Sequence, residues 1–209
     1  MKADNFFTQQ EKDRIKAVVG DVETRTSGEI AVMVVDASDT YPEARILAGV
    51  VTGSLLSLGL VDYFFSGSLW YFVFLALVLS LLFGWLVEYL PAVKRIFTGK
   101  ARIENQVSEQ AIQEFFHKGL YQTRDDTGVL FFISLFERKV WVLADKGIYR
   151  KIDQQTLQSY ADEVAKGIKS NKACEALCKE ITSIGKILAE HFPIKSDDTN
   201  ELDNAVIVG

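Results

Sequence analysis

Apolar positions along the chain keep three different periods, and the changes of period lay out the elements. Ile15, Val18, Val19 and Val22 return on one helical face, and Thr8 with Glu11 supplies a capping box to start that helix. After Ser27 and Gly28 the run Ile30 to Val35 is continuous and rich in β-branched residues, which predicts a short strand covered on both faces. The chain then stays apolar from Ile46 to Phe65, 20 residues, and again from Leu69 to Val87, 19 residues, with only Ser66, Gly67 and Ser68 between. At a helical rise of 1.5 Å per residue each stretch is about 30 Å long, the thickness of a bilayer core. The pattern predicts two antiparallel spans joined by a tight turn.

Beyond Leu90 helical spacing returns at Val107, Ala111, Ile112, Phe115, Phe116 and Leu120. Gly128 to Phe136 and Lys139 to Ala144 read as two strands joined at Glu137 and Arg138, close enough to force a hairpin. Two amphipathic helices follow, one on Leu157, Tyr160, Ala161, Val164 and Ile168, the other on Ala173, Leu177, Ile181, Ile184 and Leu188, stopped by Pro193. A helical crossover between the first two strands makes them parallel, and the hairpin adds an antiparallel third. The expected fold is α/β, an α/β/α sandwich with a small mixed sheet and a two-helix transmembrane hairpin inserted between the first strand and the second helix. Its parts are residues 1–44 and 102–193 for the split soluble domain, 45–90 for the hairpin (spans 46–65 and 69–87), 91–101 for a basic linker and 194–209 for an acidic, loosely held tail.

Within the insert the small residues Gly49, Gly53 and Ser57 form one stripe and Ala76, Ser80 and Gly84 another. Such residues let two helix backbones approach in lipid, where there is no hydrophobic force between helices. Antiparallel pairing brings Gly84 to Gly49. The same Gly49 and Gly53 also suit homo-oligomer contacts. Asp62 lies at the end of the first span beside Tyr63, Trp70 and Tyr71, at interfacial depth, and Trp85 with Tyr89 makes the aromatic belt at the other end. A domain of this size has too little interior to enclose the hairpin in water. Arg45, Lys94, Arg95, Lys100 and Arg102 flank the spans on the terminal side, while the connecting turn has no cation. The expected setting is therefore a multi-pass cell membrane protein with two spans, its termini and soluble domain cytoplasmic.

A net charge of -5 and the absence of a basic patch interleaved with aromatics argue against nucleic acid as a partner. The first residues lack the basic start and long apolar middle of a signal peptide. Cys174 and Cys178 sit on one helix without further ligands at zinc spacing, and His117 and His191 are isolated, so the two thiols read as small reduced helix residues.

The stretches TSGEIAVMVVD and DDTGVLFFISLFERKVWVLADKGI, an acidic pair, Thr-Gly-Val-Leu, an apolar strand and then Glu-Arg-Lys opening the next, resemble the TPM domain family. The likeness runs over roughly residues 6 to 192 apart from the insert. It implies an α/β/α sandwich and roles that differ between members: thylakoid-lumen proteins credited with acid phosphatase activity and photosystem repair, calcium binders, and an auxiliary subunit of a receptor channel. This chain has Asp145-Lys146-Gly147 where many members carry a glycine-rich turn.

The predicted topology puts Glu29, Asp125, Asp126 and Asp145 at one edge of the sheet. Several carboxylates together suit Ca2+ or Mg2+, hard cations that prefer oxygen ligands, and they equally suit a solvated rim. A metal-dependent phosphatase would also need a nucleophile and cations for the phosphoryl charge. Arg124, Arg150 and Lys151 are near in sequence, but the chain has no P-loop and no catalytic cysteine before a phosphate-cradling turn. Arg138 and Lys139 belong to the hairpin turn at the opposite end. Whether the chain is an enzyme stays open at this level. The pattern favours a membrane-anchored accessory protein that binds another membrane protein during assembly, maintenance or regulation.

Overall fold

The computed structural model describes residues 2–194 and 204–209. Its elements run α1 (Gln9–Glu23), β1 (Glu29–Val35), α2 (Pro42–Phe64), α3 (Leu69–Val87), α4 (Pro91–Phe97), α5 (Lys100–His117), β2 (Gly128–Ser134), β3 (Lys139–Ala144), α6 (Lys146–Tyr149), α7 (Gln154–Lys169), α8 (Ala173–His191) and β4 (Ile207–Val208). Two compact units divide them: residues 1–38 with 106–209, and residues 39–105.

The first unit is a mixed sheet between helices, in the order β3-β2-β1-β4. β1 pairs parallel with β2, Glu29 opposite Gly128, and β3 pairs antiparallel with β2, Val129 opposite Ala144. Both β1 and β2 are buried along their whole length, as their continuous apolar runs require of strands with two covered faces. On one face Ile30, Val32, Val34, Val129, Phe131 and Ile133 pack with Ile15 and Val19 of α1, Leu157 and Val164 of α7, and Leu177, Ile181 and Ile184 of α8. On the other, Ala31, Met33, Leu130 and Phe132 are buried, as are Val107, Ala111 and Phe115 of α5. The capping box at Thr8 and Glu11 is present, with Glu11 N–H donating to Thr8 Oγ1 and Thr8 N–H to Glu11 Oε2.

Several details differ from the sequence pattern. β2 stops at Ser134, because Glu137 turns back to accept hydrogen bonds from Ser134 and from Ser38 N–H (2.9 Å). Residues 91–97, expected as linker, form the short helix α4, which Pro91 opens. The tail ends in order: Ile207 and Val208 pair parallel with Met33 and Val34, making a fourth strand, while residues 195–203 of the expected loose tail lie outside the described residues.

The second unit is the hairpin. α2 and α3 pack along the small-residue seam: a Cβ on Gly53 would lie 2.4 Å from Ser80 N, and one on Gly49 would lie 2.9 Å from Gly84 Cα. Ser57 Oγ donates to Phe72 O (2.9 Å) across the seam. The remaining surface is apolar and open, with Trp70 85%, Leu81 69% and Leu55 65% exposed. Both helices are long and apolar enough to cross a membrane, with mean hydropathy 1.8 and 2.3.

Candidate functional site

The loop before β2 and the short helix after β3 meet at the sheet edge predicted from the topology. Thr123 holds the loop: its Oγ1 accepts Thr127 N–H (2.9 Å) and its carbonyl accepts Asp126 N–H (3.1 Å). Thr127 Oγ1 then donates to Ser27 O, tying the loop to the start of β1. Asp145 N–H donates to Gly128 O and Gly147 N–H to Asp126 O. Gly147 is glycine for a steric reason, since a Cβ there would sit 2.5 Å from Asp126 O and 2.9 Å from Asp125 O.

The four expected carboxylates come to this edge but divide between two places. Asp126, at φ 57, ion-pairs with Lys146 (Oδ1 to Nζ 3.2 Å). Asp145 caps α6, its Oδ1 accepting Lys146 N–H at 2.6 Å. Asp125 supplies its carbonyl to the tight contact under Gly147. Glu29 stands on the other side of β2, buried, and its neighbour is another carboxylate, Glu23. Burial first, and the nearby Glu29 charge second among the raising causes, push the Glu23 carboxyl up to about 7, although it accepts the Ile30 N–H at 3.0 Å and a hydrogen bond from Asn204. Among the described residues no three His, Cys, Asp or Glu side chains form a group able to hold a metal ion. Arg150 and Lys151 are exposed beyond α6.

The Glu-Arg-Lys stretch at the opposite end of the sheet is structural. Glu137 is buried and joins the chain after β1 to the β2–β3 turn, through Ser38 and Ser134, while Arg138 takes the left-handed backbone (φ 55) that the turn requires. The thiols of Cys174 and Cys178 are buried and free, 4.0 Å apart. Burial pushes Cys178 up to about 12 and raises Cys174 as well, so both stay protonated and unreactive.

One concave feature of the first unit lies elsewhere. Trp141 and Leu143 of β3, Ser108 and Ile112 of α5, Tyr149 of α6 and the amides of Gln154, Gln155 and Gln158 at the start of α7 line an open groove of about 640 Å³. Its floor is apolar and its rim carries amides, with no carboxylate, cation or histidine among the lining residues. Ser108 and Tyr149 bring hydroxyls to it, and burial raises the Tyr149 hydroxyl above its ordinary value. Periodicity could not have revealed this groove, because it forms only where α5 lies against the consecutive elements β3, α6 and α7.

Comparison with known proteins matches residues 93–187 to the TPM domain family. That stretch begins after the hairpin and contains β2, β3 and the groove, while β1 lies before it. No curated protein matches the chain. A similar solved structure is the NMR structure of the BA42 protein from the psychrophilic bacterium Bizionia argentinensis, with a TM-score of 0.61, 19% identity, and coverage of 98% of this chain and 96% of that one. At that identity the likeness establishes the fold.

Proposed function

We propose that this chain, which carries a TPM domain, is a membrane-anchored accessory protein. The α2–α3 hairpin holds it in the bilayer, and the TPM domain binds a second membrane protein in the cytoplasm. The observation that carries this is the hairpin surface. Two helices packed backbone to backbone leave Leu55, Leu58, Trp70, Phe74, Leu77 and Leu81 facing outwards, an apolar area far beyond what a soluble monomer exposes. Both connections to the TPM domain leave the insert at its cationic end, so the positive-inside rule puts that domain in the cytoplasm. The groove over Trp141 and Tyr149 suits the interaction role, because its apolar floor and amide rim resemble the core and edge of a protein interface.

The test is extraction of membranes from expressing cells with alkaline carbonate, followed by photo-crosslinking from a probe at Gln155. Retention in the membrane pellet with a discrete crosslinked membrane protein, lost on Trp141→Ala, is expected. Release into the carbonate supernatant overturns the anchor, and retention without a Trp141-dependent crosslink overturns the groove's role.

A further inference from the structure

Where the hairpin leaves the apolar zone, only Glu88, Tyr89 and Leu90 separate α3 from α4. α4 folds back to pack on both α2 and α3. It is amphipathic in an unusual sense: Lys94 is the buried position, its Nζ held by Glu88 (3.1 Å), whereas Ile96 is 78% exposed and Tyr89 and Leu90 beside the helix are exposed too. A soluble helix would bury the isoleucine and expose the lysine. This reversal fits a helix lying in the headgroup layer, with its apolar side chains entering the acyl boundary.

The charges at the same end divide into committed and uncommitted. Arg102 binds Asp39 (2.8 Å) and Glu43 (3.0 Å), and Lys94 binds Glu88, so those two cations are committed to carboxylates. Arg45, in the first turns of α2, Arg95 of α4 and Lys100 at the start of α5 make no ion pair among the described residues. Arg45 lies where the two spans meet, its carbonyl 3.5 Å from the Cβ position of Gly84.

We infer that Arg45, Arg95 and Lys100, with α4 as an interfacial foot, form a site for the phosphate groups of anionic phospholipids in the adjoining leaflet. Their positive charge attracts phosphate oxygens, and none of the three is held in an ion pair among the described residues. A cation close to an anionic membrane surface contributes about 1 kcal/mol, or about fivefold in association. This inference rests on the membrane anchor proposed above.

The experiment reconstitutes the full chain into vesicles of phosphatidylcholine with spin-labelled phosphatidylglycerol or spin-labelled phosphatidylcholine. Electron spin resonance then measures the motionally restricted lipid around the protein. The wild type is expected to restrict phosphatidylglycerol at least fivefold more than phosphatidylcholine, with high salt eroding the preference. Arg45→Gln/Arg95→Gln/Lys100→Gln is expected to remove the preference, and Arg45→Lys/Arg95→Lys to retain most of it. Equal restriction of both lipids by inserted wild-type protein overturns the site and leaves the anchor standing. An unchanged preference in the glutamine variant, with its helix content intact by circular dichroism, overturns the assignment to these residues. Failure of the wild type to float with either vesicle overturns the anchor itself, and the lipid site with it.

Discussion

Single residues at the sheet edge are constrained by burial more than by reactivity, and Glu23 shows it best. Its carboxyl sits between the Ile30 amide, Asn204 and the Glu29 carboxylate, and burial lifts it from 4.5 to about 7. A carboxyl raised in the folded state binds its proton more tightly there than in the unfolded chain. The contribution of Glu23 to stability is therefore fully present below about 4.5, falls as the pH rises towards 7, and is lost above. Glu23→Gln keeps an oxygen for the Ile30 N–H and never ionises. The variant is expected to melt with the wild type in acid and above it at pH beyond 7. Discounted for partial exposure, the difference is on the order of 1 kcal/mol, about 2–4 °C in Tm for a chain of this size. A scan of Tm against pH in detergent checks this; parallel curves would show that Glu23 ionises normally. No reading of the sequence marked Glu23, because its shift arises first from burial and then from the Glu29 charge, and both depend on how other elements pack around it.

At the scale of elements, continuous apolar runs and helical periods carried most of the information. β1, β2 and β3, the parallel and antiparallel pairing, both long apolar helices and the helices on Val107, Leu157 and Leu177 were all legible, since each follows a pattern that its own residues define. β4 was not, because two residues at an edge make no pattern and their strand exists only through Met33 and Val34. α6 was hidden for a similar reason: four residues cannot show a period, and Asp145, read as a ligand, is their cap. The Glu-Arg-Lys stretch was noticed for its likeness to a family, yet its first residue acts as a bracket between elements. Removing it in Glu137→Ala takes the acceptor from the half-buried Ser38 N–H and from the buried Ser134 hydroxyl, at a cost of about 1–3 kcal/mol. Urea unfolding should show the loss, and Glu137→Gln should recover part of it. If the alanine variant is as stable as the wild type, the bracket contributes nothing and the β2–β3 turn is held by its own backbone.

For the whole molecule, the decisive property is that the chain leaves one sheet, forms a complete apolar hairpin and returns to the same sheet. β1 ends before the insert and its parallel partner β2 follows it, so residues 39–105 are a detour in the crossover between two paired strands. A detour that begins and ends beside one sheet can enter a bilayer only by crossing it an even number of times, and two helices long and apolar enough to span meet that count. The carboxylate edge was inferred from this topology, and its residues divide there between the loop by α6 and the start of β1, with no three of the described carboxylates in one group. Their chemistry was not legible, because spacing along a strand says nothing of Lys146 pairing Asp126 or of Asp145 turning inward to cap a helix. Topology also sets the final expectation. Cys174 and Cys178 are buried, so a cysteine placed at exposed Ser66 or exposed Lys118 is the accessible thiol in an otherwise quiet protein. In intact cells an impermeant maleimide should label Ser66→Cys at once and Lys118→Cys only after the membrane is opened. The reverse pattern would invert the orientation drawn from Arg45, Arg95 and Lys100. Labelling of both positions from one side would mean that the hairpin lies on the membrane without spanning it, since a turn that one crossing separates from the domain cannot share its compartment.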